Sequence, residues 1–244
     1  QADAQGRLQT RPTRVRLEVA AFNLPVNEAG TGRFARVDAV TGSALAAPAN
    51  EAAMKVLLGD PLPPADAVDA WEPEGWVGAA LESQRFTGLA GAQARATLLS
   101  LARQVARLYV TGAHLGRSDD PYGLVKRLLV MVHATGIAAG LFNCKSGKDR
   151  TTEAETQARQ LALEVATTGV VPVPDAPADA PAAELRARQL WHLHQGGGSR
   201  EIQAWNTGHA GTKLKHPALY AQYGISDRPD LQLDYRGMSA HVGS

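Results

Sequence analysis

Cys144 and Arg150 stand six residues apart in the run Asn143-Cys144-Lys145-Ser146-Gly147-Lys148-Asp149-Arg150-Thr151, and Cys144 is the chain's single cysteine. That spacing suits a thiolate that attacks phosphorus. A phosphate ester is shielded by its anionic oxygens, so a nucleophile reaches the phosphorus only where that charge is neutralised and the thiol is already ionised. A loop running into a helix N-terminus does both, because the free N–H groups and the helix dipole bind the anion and lower a neighbouring thiol's pKa. Gly147 lets successive loop amides turn inward. Arg150 would grip two phosphate oxygens with its planar fork, a geometry lysine does not reproduce. Thr151 can donate its hydroxyl to the sulfur and stabilise the thiolate when it leaves.

The spacing alone is weak, since the chain carries nineteen arginines, and Cys144 read by itself is a small buried apolar residue. Four features oppose that reading: an apolar run before the loop, a helical pattern after it, the glycine within it and the hydroxyl after the arginine. A nucleotide-binding P-loop does not fit, because Asp149 follows Gly147-Lys148 and Phe142 occupies the place of that motif's first glycine. Lys145, Ser146 and Lys148 complete the loop, and the two amines point to substrates with several phosphates rather than to a simple phosphotyrosine. The alternative for both lysines is ordinary solvation. Lys213 and Lys215 offer a second basic wall or a contact with an anionic membrane, against the alternative of an exposed strand edge.

A leaving alkoxide needs a proton, so a carboxylic acid belongs near the loop. Asp149 takes precedence, with Asp119 and Asp120 as the other candidates; Asp119 also reads as a helix cap and Asp149 as a tie within the loop. Glu201 or Gln203 can hold the hydrolytic water, although both also read as ordinary surface residues. His192 and His194, with His209 and His216 downstream, do not make a metal site, since an i, i+2 pair does not share a helix face. Neither a metal nor another cofactor is expected.

The elements that must position this loop follow from periodicity. Residues 13–22 alternate Val15, Leu17 and Val19 with charged residues, the pattern of a half-buried strand, and residues 137–142 read as a buried strand leading into the loop. Helices are expected over 45–59, 91–109, 121–134 with a stop at Gly136, 150–167 and 184–193. Residues 170–183, rich in Val, Pro, Ala and Asp, read as a surface loop, 196–198 as a glycine hinge and the tail from Ser226 as turns. The fold class so derived is α/β, a cysteine-phosphatase-like sheet flanked by helices with strand, phosphate loop and helix at the site. Residues 1–12 are expected to be a flexible segment of a piece of a longer chain, and 13–244 a single catalytic domain.

At 244 residues with formal net charge +1, the chain does not read as a nucleic-acid binder. One cysteine forbids an internal disulfide and fits a reducing compartment. No apolar run reaches the length of a membrane span.

Cys144 to Thr151, CKSGKDRT, resembles the active-site loop of the bacterial type III secreted inositol phosphate and phosphoinositide phosphatases, the SopB/IpgD group. It is also similar to the loop of the inositol polyphosphate 4-phosphatases. Residues 22–28 (FNLPVNE), Glu201-Ile202-Gln203 with Asn206-Thr207-Gly208 and 211–213, and Glu74-Gly75-Trp76-Val77-Gly78 resemble further motifs of that group. The resemblance implies Cys144 as nucleophile, Arg150 as phosphate clamp, and Lys145 and Lys148 as contacts to ring phosphates. Myotubularin-type lipid phosphatases carry an aspartate in the place of Asp149, there assigned as general acid. Implied substrates are phosphatidylinositol 4,5-bisphosphate, related lipids and soluble inositol phosphates, met in a host cell after secretion. Phosphotransfer to another inositol hydroxyl is also implied. The rival readings are a protein tyrosine or dual-specificity phosphatase, and a phosphoinositide-binding module without turnover. The Ala- and Arg-rich composition and the Pro-rich stretch 170–183 depart from the group's pattern and bear on substrate preference.

Overall fold

The computed structural model describes residues 18–24, 43–83, 86, 88–115, 122–136, 149–174, 179–196, 226–230 and 232. Their regular elements are helical. α1 is Ser43–Leu58, α2 Gly75–Leu81, α3 Gly88–Val110, α4 Gly123–Thr135, α5 Asp149–Thr168 and α6 Ala180–Gly196, with a short 3-10 turn at Ala113–Leu115 after α3. The stops are chemical: Gly136 ends α4 and Gly169 follows α5, both in the left-handed region at φ 62° and 71° that favours glycine. Asp179 starts α6, its carboxylate accepting the Ala182 N–H at 2.8 Å. Pro181 then sits in the first turn, where an N–H has no intrahelical partner to lose.

The core is filled by helix faces meeting directly. Met54, Leu57 and Leu58 of α1, Val77 and Leu81 of α2, Leu98, Leu101, Ala102 and Val105 of α3, Leu124, Leu128 and Met131 of α4 and Leu161 of α5 form one buried apolar cluster. Each fully buried side chain of this kind contributes about 1.5–3 kcal/mol. α4 packs against both α3 and α5, and α5 against both α4 and α6. α2 joins α1 to α3 and α4 through an unusually close approach: a Cβ at Gly75 would stand 2.5 Å from the Val56 carbonyl oxygen.

The α/β expectation is therefore corrected. Among the described residues there is no strand and no sheet: the helices bury their apolar faces against one another. Of the two expected strands, 137–142 and 13–17 lie outside the described residues, and the described remainder of the first, 18–22, is not a strand. Its polar groups go to helices instead. The Asn23 N–H donates to Asn50 Oδ1 at 2.7 Å, Asn50 Nδ2 donates back to the Asn23 carbonyl at 2.9 Å, and Trp76 Nε1 donates to Glu18 Oε2 at 3.2 Å. Its phase is also opposite to the expected one, with Ala20, Phe22 and Leu24 turned to the core and Val19 exposed at 69 %.

The helices expected from periodicity are all present, with ends moved by one to four residues. α2 was not expected as a helix at all. The loop expected over 170–183 is only partly one: α6 begins at Ala180, and Val171 is buried in the core cluster. The expected flexible segment 1–12 and the hinge 197–198 lie outside the described residues, while Gly196 closes α6.

Candidate active site

α5 begins at Asp149, so the residue directly after Lys148 already opens the helix and Arg150 lies in its first turn. The first N–H groups of an α-helix have no partner within it, and the dipole adds partial positive charge there. In the chain, the CKSGK stretch directly precedes this electropositive end. Cys144, Lys145, Ser146, Gly147 and Lys148 lie outside the described residues, as do Asp119, Asp120, Glu201, Gln203, Lys213 and Lys215. The structure brings together Asp149, Arg150 and Thr151 in one turn, with Thr151 half-buried.

What holds that turn is polar. Thr152, Glu153, Thr156, Gln157 and Gln160 are all buried. Against α6, which runs antiparallel, they form a seam read from one end to the other. Glu153 Oε2 stands 3.2 Å from His194 Nε2, Gln160 Nε2 donates to Gln189 Oε1 at 3.3 Å, and Arg186 Nε donates to both Glu164 oxygens at 2.9 Å. Within the helix, Gln157 Nε2 donates to Glu153 Oε1 at 2.6 Å and the Thr156 hydroxyl to the Thr152 carbonyl at 2.8 Å.

The other end of α5 is tied to α3. Gln93 donates to the Gly169 carbonyl at 2.7 Å and Gln104 to that of Val171 at 3.2 Å. Arg127 of α4, only 2 % exposed, donates to Gln104 Oε1 at 2.7 Å and to the Pro172 and Gly123 carbonyls at 2.9 Å. A buried guanidinium held by such acceptors fixes the chain just after α5 relative to α3 and α4.

Two motifs of the sequence reading have architectural roles here. Glu74 to Gly78 is the junction of α1 and α2: the Glu74 N–H donates to the Leu58 carbonyl at 2.9 Å, Gly75 permits the close approach and Val77 is fully buried. The Asn23 exchange with Asn50 pins the described part of the FNLPVNE segment to α1. Sequence reasoning assigns Glu153 no role at the site and treats His194 only as part of a metal pair that does not form. The signal was present: Thr152, Thr156 and Gln160 recur every four residues beside Glu153 and Gln157, so α5 has no purely apolar face to bury.

With the helix N-terminus and its support in place, the comparisons with known proteins decide the family. The family described as "Enterobacterial virulence protein IpgD" matches residues 2–222. This chain belongs to the IpgD family. It is 31 % identical over 212 residues to the inositol phosphate phosphatase SopB of Salmonella bongori, an alignment covering 84 % of this chain and 44 % of that protein. To the SopB of Salmonella typhimurium strain LT2 it is 29 % identical over 209 residues, covering 86 % of this chain and 33 % of the relative. The SopB of Salmonella blockley gives the same identity, with 42 % of its length covered. The chain therefore spans less than half the length of these curated relatives. Within the IpgD match lie both the CKSGKDRT loop and the α5–α6 seam.

Proposed function

We propose that this chain is the catalytic portion of a cysteine-dependent phosphatase acting on phosphoinositides or soluble inositol polyphosphates. What supports the reading is Arg150 in the first turn of α5, six residues after Cys144 in the sequence, in a member of the IpgD family. The Cys144 thiolate attacks phosphorus, forming an S–P bond as the bond from phosphorus to the ring oxygen breaks. Arg150 and the backbone amides at the start of α5 neutralise the transferring group. Asp149 supplies the proton to the leaving oxygen, with Asp119 and Asp120 as the alternative donors. Water then attacks the phosphocysteine, the S–P bond breaks, and phosphate leaves with the thiolate restored; an inositol hydroxyl in place of water gives phosphotransfer.

Lys145 and Lys148 would meet neighbouring ring phosphates, and Lys213 and Lys215 an anionic lipid surface. In this reading phosphatidylinositol 4,5-bisphosphate and related molecules are the substrates, met in a host cell by a secreted virulence protein. No helix among the described residues is long and apolar enough to cross a membrane, so lipid would be reached from its surface.

The test is phosphate release from a panel of phosphoinositides, soluble inositol polyphosphates and a phosphotyrosine peptide, with products identified. Inositol substrates should be turned over preferentially, and Cys144→Ser should abolish release while leaving binding in place. Full activity in Cys144→Ser would end the covalent mechanism, and preference for the phosphotyrosine peptide would end the substrate assignment. Loss of Lys145 or Lys148 should harm polyphosphorylated substrates more than a simple aryl phosphate.

A further inference from the structure

Among the polar contacts described between α5 and α6, that of Glu153 with His194 has both side chains almost wholly buried, 0 % and 4 % exposed. Glu153 lies one turn inside α5, three residues after Arg150, and His194 lies in the last turn of α6. The carboxylate cannot swing freely, because Gln157 holds its other oxygen at 2.6 Å. Its Oε2 and the His194 Nε2 approach to 3.2 Å without hydrogen-bond geometry between them, and among the described residues neither atom has another hydrogen-bond partner.

Such a pair is a poor way to gain stability. Burying an acid and an imidazole sacrifices their hydration, and apolar side chains of similar size often hold two helices as well. What the pair supplies is direction. One of the two stands in the first turns of α5 and the other in the last turn of its antiparallel neighbour, so they meet in only one register of the two helices. The remaining rungs, Gln160 with Gln189 and Glu164 with Arg186, lie progressively farther from the start of α5.

We propose that the buried Glu153–His194 pair is a positioning device for the candidate active site: it fixes the first turn of α5, and with it the backbone that carries Arg150, against the last turn of α6. The proposal rests on the phosphatase reading for its effect on catalysis, and on the seam alone for its effect on the helix. Glu153 and His194 are positioning residues that act through the backbone of α5.

The experiment uses the 244-residue chain and its variants Glu153→Ala, His194→Ala, Glu153→Gln and His194→Gln. Two readouts are taken, amide hydrogen exchange across residues 149–156 and steady-state hydrolysis of p-nitrophenyl phosphate. Urea unfolding establishes that each variant is folded. Both alanine variants should exchange faster in the first turn of α5 while α3 stays protected, and their kcat should fall ~10–100-fold with little change in KM, as a misplacement near 1 Å produces. Glu153→Gln keeps a hydrogen-bonding group at each end and should restore most of kcat, a rescue that a general loss of stability would not show. If the alanine variants do not fold, the glutamine pair carries the test, with smaller changes of the same kind.

Unchanged exchange in the first turn of α5 overturns the proposal, as does faster exchange with an unchanged kcat. A glutamine variant as impaired as the alanine variant, though equally stable, overturns the positioning role in favour of a need for the charge itself. A wild-type chain without turnover removes the phosphatase reading instead, and the exchange data then decide the clamp separately.

Discussion

α3 and α5 are both long helices, yet they are buried in opposite ways. α3 turns Leu98, Leu101, Ala102, Val105 and Ala106 inward, whereas α5 turns in Thr152, Glu153, Thr156, Gln157 and Gln160, with Ala154, Ala158 and Leu161 between them. Apolar burial is strong and non-directional, so it decides that a helix packs but tolerates small rotations and shifts. Paired polar groups contribute little net energy but accept only one geometry. α3 thus reads as the element that holds the core together, and α5 as the one whose placement is specified. The candidate phosphate clamp is carried by α5.

The sharpest way to break that contrast is one substitution on each helix. Leu101→Ala should lower stability by about 2–5 kcal/mol in urea unfolding, since the side chain is fully buried and leaves a cavity. Its kcat, corrected for the folded fraction, should stay near that of the wild type. Arg150→Lys should do the reverse, leaving the unfolding midpoint in place while kcat drops ~10²–10³-fold, the scale for losing one preorganised transition-state donor. Equal losses of stability in the two variants would erase the distinction between the helices.

The sequence made the helices legible because each carries its own local signals: Leu98, Leu101, Val105 and Leu108 at helical spacing in α3, Gly136 at the end of α4 and the acidic start of α5. It misled about the fold class, since Val15, Leu17 and Val19 alternate whether or not a neighbouring strand exists to pair with. In its described part Glu18 accepts from Trp76, and Asn23 just beyond it pairs with Asn50. α2 went unseen because its seven residues contain two glycines, and what makes them a helix is contact with α1 through Gly75. At the site, the Cys144 to Arg150 spacing and the helix after it could be read directly. The partnership of Glu153 with His194 could not, because forty-one residues separate them and only the antiparallel docking of α6 brings them together.

Gly75→Ala is the next largest effect, and it belongs to the apolar half of the molecule. The new methyl would press on the Val56 and Leu57 carbonyls, which are backbone of α1 and cannot move aside, so a loss of about 1–3 kcal/mol is expected. A variant as stable as the wild type would mean that α1 and α2 slide freely, contrary to a tightly packed core. On the polar half, Arg186→Ala removes the bidentate contact with Glu164, whose side chain is 15 % exposed. Because the pair is partly solvated, only roughly 1 kcal/mol should be lost, with faster amide exchange confined to the C-terminal half of α5. Exchange spreading into the first turn would show that the seam acts as one unit rather than as separate rungs.

The smallest effect concerns pH and the turn after α3. His114 stacks on Tyr109 at a ring separation of 5.4 Å, and its Nδ1–H donates to the Leu108 carbonyl at 2.9 Å. Burial pushes its pKa below the ordinary value of 6.5, with the Leu108 carbonyl opposing the shift only in part. Below pH 6.5 the unfolded chain therefore takes up a proton at this position that the folded chain does not. Stability attributable to His114 is fully present above that pH, falls as the pH drops through the lowered folded value, and then levels off. Urea midpoints at neutral and mildly acidic pH should differ less for His114→Gln than for the wild type, and comparing the two chains cancels the other six histidines. A slope identical in both would mean that the ring gains solvent when it is protonated. The apolar half of the molecule would then be looser at the end of α3 than its buried stripe implies, and the contrast with α5 would narrow to the core itself.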